Sequence, residues 1–118
     1  MRVFADLRLA IDKEEVIKVI QRSLGIRESP LPSWDGLQDD VAHFPSASAV
    51  WIKEMNENPS ADKLHLIIIN ARDFHKTFPK EYVLLEEVLT ERIRNGGRFD
   101  NVRFSFEIHD GGIEAVAE

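Results

Sequence analysis

The sequence predicts an α/β domain: a small, mainly parallel three-stranded sheet with helices packed against it. Three observations lead there. Leu64-His65-Leu66-Ile67-Ile68-Ile69-Asn70 is a nearly continuous apolar run, the pattern of a strand buried on both faces at the centre of a parallel sheet. Val3-Phe4-Ala5-Asp6-Leu7-Arg8-Leu9 and Val102-Arg103-Phe104-Ser105-Phe106-Glu107-Ile108 alternate as two further strands. Helical patterns separate all three, and helical crossovers join parallel neighbours.

The elements follow in order. Asp12 reads as an N-cap with Glu15 three residues on. Val16, Ile17, Val19, Ile20 and Leu24 continue at helical spacing until Gly25 stops the helix. Pro30 and Pro32 break the chain, and Ser33 is placed to cap a second helix. The stretch from Pro45 to Lys63 is ambiguous. Val50-Trp51-Ile52 favours a strand, whereas Trp51 and Met55, one turn apart, favour a helix, which is the reading preferred here. Asn56-Glu57-Asn58-Pro59-Ser60 is a loop. After the central strand, Tyr82, Leu85, Val88, Leu89 and Ile93 mark an amphipathic helix ended by Gly96-Gly97.

The chain has 118 residues, 43% of them hydrophobic, which suits one domain with a core of its own. We expect that domain over residues 1–108, with an elaboration at 45–62 and a frayed tail over 109–118. The absence of cysteine excludes a disulfide framework and thiolate metal ligation. The start Met1-Arg2-Val3-Phe4-Ala5-Asp6 does not read as a signal peptide, and Leu66-Ile67-Ile68-Ile69 is too short to cross a bilayer, so a cytoplasmic location is expected.

Charge is unevenly distributed. Between Glu28 and Glu57 stand six acids (Glu28, Asp35, Asp39, Asp40, Glu54, Glu57) and one base, Lys53, which gives −5 of the whole chain's −6. Such a field repels nucleic acid and anionic membranes, attracts cationic surfaces and raises association rates with them. Neither a nucleic acid nor a membrane is therefore expected as partner.

The acids gather on a short helix. In Trp34-Asp35-Gly36-Leu37-Gln38-Asp39-Asp40-Val41-Ala42-His43-Phe44, a turn of about 100° per residue puts Trp34, Leu37, Val41 and Phe44 on one side. Asp35 and Asp39 fall one turn apart on the other, with Gln38, Ala42 and His43 around them. The plainest reading is a solvated helix face. Asp35 also sits in the first turn, where the helix dipole favours a carboxylate. Asp39 lies mid-helix, has no Lys or Arg at three or four residues and repels Asp35, which makes it the better candidate for an acid kept for a partner. Trp34 and Phe44 read first as core anchors, although Trp34 could lend an edge to an interface.

Catalytic signals are weak. Asp39 and His43 share a face, but Asp40 points elsewhere and no second ligand cluster completes a metal motif. His65, His75 and His109 occupy separate elements, and no phosphate loop or nucleophile elbow is present. No cofactor, metal or enzymatic activity is expected. A metal-dependent hydrolase using Asp35, Asp39 and Asp40 is the weakest of the readings.

The acidic segment resembles the barstar-like ribonuclease-inhibitor family. That family's helix has the form apolar-Asp-small-Leu-x-Asp-x-apolar-x-x-aromatic, matched here from Trp34 to Phe44. The order of strands and helices around it agrees over roughly residues 1–108. The resemblance implies a barstar-like fold and a protein of the immunity or antitoxin kind, which plugs the cationic cleft of a basic secreted or toxin-type nuclease. Carried over by motif, Asp39 is the central plug, supported by Asp35, with Gln38, Ala42 and Phe44 as the surround and Glu91 contributing from the later helix. The protein is expected to be a monomer when free. Two departures stand out: Ser29-Pro30-Leu31-Pro32 replaces the family's aromatic and glycine lead-in, and Gln38 occupies an often aromatic position. An acidic interaction module of the same fold, binding a non-nuclease toxin or another basic protein, is the alternative.

Overall fold

A computed structural model of the chain describes residues 1–8, 10, 12–44, 48–96 and 102–116. Strands β1 (Arg2–Asp6), β2 (Lys63–Ile69) and β3 (Arg103–Ile108) form one parallel sheet with β2 in the centre. Leu66 of β2 stands between Val3 and Phe106, and Ile67 between Phe4 and Glu107. Side chains alternate across a strand. Val3, Ala5, Leu64, Leu66, Ile68 and Phe104 therefore share one face, and they join the hydrophobic core. Ile67 and Ile69 lie on the other face yet are also buried, as expected for the central strand.

Among the described residues five helices supply the rest of that core: α1 (Lys13–Ser23), α2 (Trp34–Ala42), α3 (Ala49–Glu57), α4 (Arg72–Thr77) and α5 (Pro79–Asn95). Each contributes apolar side chains to the same cluster, from Ile17 and Ile20 of α1 to Leu85 and Leu89 of α5. Helices therefore cover one face of the sheet. The opposite face carries Arg2, Phe4, His65, Ser105 and Glu107.

Local signals explain the boundaries. Asp12 accepts a hydrogen bond from the Glu15 N–H at 2.9 Å, as its capping position predicts. Gly25 turns the chain at φ +70°, and a Cβ there would meet the Val50 backbone nitrogen at 2.6 Å. The close approach docks α3 on the end of α1: Ser48 Oγ donates to the Leu24 carbonyl at 2.6 Å and caps the Trp51 N–H at 3.0 Å. Residues 49–57 are thus helical, the preferred reading of the ambiguous stretch, while 45–47 lie outside the described residues.

Three expectations need correction. The first strand ends at Asp6, not Leu9, which itself lies outside the described residues, as does Gly97 of the expected helix stop. The loop expected from Asn56 begins only at Asn58, because α3 continues through Glu57. Helix α4 falls in a stretch to which the sequence assigned no element, its six residues with Phe74 alone buried being too short to display a period. The tail is not frayed over 109–116. Asn70 N–H donates to the Gly111 carbonyl at 2.7 Å, Ala71 N–H to the His109 carbonyl at 3.1 Å, and a short 3-10 turn follows at Ile113–Ala115. Residues 117 and 118 lie outside the described set. No helix among the described residues is long and apolar enough to cross a membrane.

Candidate functional site

Helix α2 is fixed from below and from both ends. Ser33 Oγ accepts the Gly36 N–H at 3.0 Å, satisfying one of the free donors of the first turn. Leu37 and Val41 are buried on its inner side. Phe44, just past the helix, is 1% exposed and meets the rings of Trp51 and Phe104 edge-on at 6.0 and 6.4 Å. Trp34 is half-buried at the other end, where its indole N–H donates to the Glu81 carboxylate of α5.

What remains outward is acidic. Asp35, Gln38 and Asp39 are exposed, and Ala42 and His43 are half-buried beside them. Asp39 keeps 68% of its side chain in solvent, with its Oδ1 3.4 Å from His43 Nδ1, which also lies 2.9 Å from the Asp39 carbonyl. Among the described residues neither Asp35 nor Asp39 pairs with a lysine or arginine. Asp40 differs. It turns inward and accepts from Gln21 Nε2 at 2.8 Å, while Gln21, 1% exposed, also holds Ser29 through 2.9 and 3.0 Å bonds. One buried amide thereby ties α1, the proline-rich lead-in and α2 together. Nothing in the local pattern of α1 marked Gln21 for this part, because its partners lie 8 and 19 residues away.

Helix α5 forms the other wall. Between it and α2 runs a groove of about 670 Å³, with Trp34, Asp35 and Gln38 on one side and Val83, Glu87 and Glu91 on the other. A second groove of about 490 Å³ shares Asp35, Gln38 and Glu91 and extends past Asp39 and Ala42 to Asn95. Glu91 therefore stands beside the α2 acids. Its carboxylate is already engaged, by the Arg94 guanidinium and by Asn95 Nδ2 at 2.9 Å. Of the residues expected at the site, Trp34, Asp35, Gln38, Asp39, Ala42 and Glu91 line the two grooves, and His43 lies beside Asp39. Phe44 does not belong to the surface surround: its ring is spent on the core beneath the helix.

Two groups of residues escaped the sequence reading. Val83, Leu84 and Glu87 line the groove from α5, and the signal for the first two was available. Tyr82-Val83-Leu84-Leu85 is four apolar residues in a row, more than one helical stripe can bury. The second group is a polar chain on the outer sheet face. His65 Nδ1 lies 2.6 Å from Ser105 Oγ, its Nε2 3.0 Å from Glu107 Oε2, and His109 Nε2 reaches Glu107 Oε1 at 2.8 Å. Hydrogen bonds from His109 and His65 hold the Glu107 carboxyl below the usual glutamate range. These residues line neither groove, so their serine–histidine–carboxylate order faces no substrate-sized recess of the two. Among the described residues no three histidine, aspartate or glutamate side chains converge as a metal site.

The grooves favour cations. Five carboxylates (Asp35, Asp39, Glu86, Glu87, Glu91) border them, with Arg94 and the buried Arg92 as the basic members. Comparison of the chain with protein-family models, with curated proteins and with solved structures gives no match.

Proposed function

We propose that this protein is a barstar-like inhibitor, of the immunity or antitoxin kind, that blocks a basic ribonuclease by seating α2 in the enzyme's active-site cleft. The observation that carries the reading is the pair Asp35 and Asp39, one turn apart, outward-facing and without a lysine or arginine partner among the described residues. An RNA-cleaving cleft is lined with cations that bind phosphates. Two carboxylates on a helix whose position is fixed by Leu37, Val41, Trp34 and Gln21 present a preorganised substitute for that polyanion.

The chemistry is binding alone. Asp39 meets the arginines and histidines of the cleft, Asp35 supports it, and Gln38 and Ala42 close the surround; Glu91 joins by exchanging Arg94 for a cation of the target. No cofactor takes part, and the inhibitor acts in the cytoplasm as a monomer until it meets its target. Further support comes from the order of elements, in which the first strand and helix precede the acidic helix and a central parallel strand follows it.

The test is inhibition. Basic secreted ribonucleases, including any obtained from the native host, are assayed on a fluorogenic RNA substrate with increasing amounts of this protein. One-to-one loss of activity for at least one enzyme is expected. Binding of a basic protein without loss of its RNA cleavage selects the interaction-module alternative, and no effect on any enzyme rejects the inhibitor.

A further inference from the structure

The groove beside α2 is not acidic along its whole length. On α5, Val83, Glu87 and Glu91 recur every four residues and so share a face. Eight residues of helix separate Val83 from Glu91, about 12 Å along the axis. At the Glu91 end the opposite wall is Asp35, Gln38 and Asp39. Towards the start of α5 the wall is Trp34, whose indole is pinned there by Glu81, and the floor is aliphatic. Val83 is 49% and Leu84 37% exposed, and a shallow recess of about 500 Å³ shared with Pro79 and Lys80 continues from them. Exposed aliphatic side chains next to a ring cost solubility without helping the core, since Leu85, Val88 and Leu89, with the half-buried Tyr82, already supply the inward stripe of this helix.

We propose that the α2–α5 groove is a two-part dock in which the target seats a cationic side chain at the Asp35, Asp39 and Glu91 end and an apolar side chain between Trp34, Val83 and Leu84. The inference rests on the inhibitor reading of the acidic end and adds a specificity element to it. The occupant is a surface segment of the basic nuclease. A span of about 12 Å corresponds to three or four residues of extended chain. The segment therefore carries an arginine or lysine and an aliphatic or aromatic residue three or four positions apart. Charge matches the first to the carboxylates, and burial of apolar area against the indole holds the second. The two halves act on different steps: charge speeds encounter, whereas the apolar contact, which has no long-range pull, slows departure.

Association and dissociation rates are measured with the ribonuclease inhibited in the assay above. The chain carries Val83→Ser with Leu84→Ser, or Ile93→Ser as an exposed aliphatic of the same helix that lines neither groove. Thermal unfolding of each variant verifies the fold. The double variant is expected to dissociate on the order of tenfold faster, with an association rate and salt dependence matching the parent. Ile93→Ser leaves both rates alone. If the double variant dissociates like the parent while Asp39→Ala still weakens inhibition, the apolar half is wrong and the inhibitor reading stands. If the double variant weakens binding and Asp39→Ala does not, the acidic half falls, and the two-part dock with it. If no ribonuclease is inhibited, both readings are overturned together.

Discussion

The outward side of α2 and the outer face of the sheet are both polar, yet they treat carboxylates in opposite ways. On the sheet, Glu107 takes hydrogen bonds from His65 and His109, and Asp6 takes them from the Arg8 backbone and guanidinium and from Asn70. Both groups are held below the ordinary carboxylate range, Glu107 chiefly by the His109 bond and Asp6 chiefly by the Arg8 N–H. On α2, Asp35 and Asp39 stand in solvent, one turn apart, where they repel each other. The same side-chain chemistry is satisfied within the chain in one region and left in solvent in the other. Asp40 makes the contrast within a single helix: the neighbour of Asp39 in sequence, it is turned inward and bonded to Gln21.

The largest way to break this comparison is Asp39→Ala. An exposed side chain off the core changes stability by about 0.5 kcal/mol or less, whereas a central charged contact in an interface is worth about 2 kcal/mol or more. The expected result is a loss of affinity for the inhibited nuclease of roughly 30-fold or more, that being the tenfold per 1.4 kcal/mol conversion. Denaturant unfolding of the free variant is expected to match the parent. Raising salt slows association with the parent steeply and with the variant less, read by stopped flow. Equal affinities for parent and variant make α2 an ordinary solvated face.

The next largest effect lies beneath that face. Gln21→Leu removes the amide that holds Asp40 and Ser29, leaving the Asp40 carboxylate half-buried without its donor. Loss of about 1–3 kcal/mol of stability is expected in chemical denaturation. Because the amide also positions the lead-in to α2, inhibition weakens beyond what stability alone dictates, through a faster dissociation rate. A variant as stable as the parent shows that the bond network does not hold the helix.

How far the sequence discloses these features depends on how local their causes are. Asp12 caps α1 by accepting from the Glu15 N–H three residues on, and Ser33 accepts from the equally close Gly36 N–H of α2, so both caps are legible in the chain. The apolar run of β2 is legible because a central strand needs side chains for two faces. Gln21, the His65–Glu107–His109 chain and the tail are not, because their partners are remote: 42 residues separate His65 from Glu107. The ordering of residues 109–111 depends on two backbone donors at Asn70 and Ala71, the first of which takes φ +57°. Phe44 shows the reverse failure. The helical wheel placed it rightly as a core anchor, whereas the surround role carried over by the resemblance does not hold: the helix ends before it, and the residue turns into the gap between Trp51 and Phe104. Val83 and Leu84 were visible as an apolar excess, yet only the packing of α5 on α2 says which of its apolar residues the core leaves out.

The smallest predicted effect sharpens the contrast from the sheet side. Glu107 titrates lower in the folded chain than in the unfolded one. Its contribution is therefore present above the unfolded glutamate value, about 4.3, and is lost as pH falls from there through the depressed folded value. Asp6 acts in the same direction. Stability of the parent should fall across that acid window, and Glu107→Gln, which cannot ionise, should flatten the fall. The difference stays within the scale of exposed ion pairs, about 1 kcal/mol or less, because solvent screens the site. The measurement is urea unfolding at a series of pH values from 6 to 3 for both chains, with nuclease inhibition measured at neutral pH. Glu107→Gln should alter the acid limb and leave inhibition intact, while Asp39→Ala should do the opposite on inhibition. If the glutamine variant instead weakens inhibition, the sheet's carboxylate is not spent internally, and the two faces do not divide the work between fold and partner.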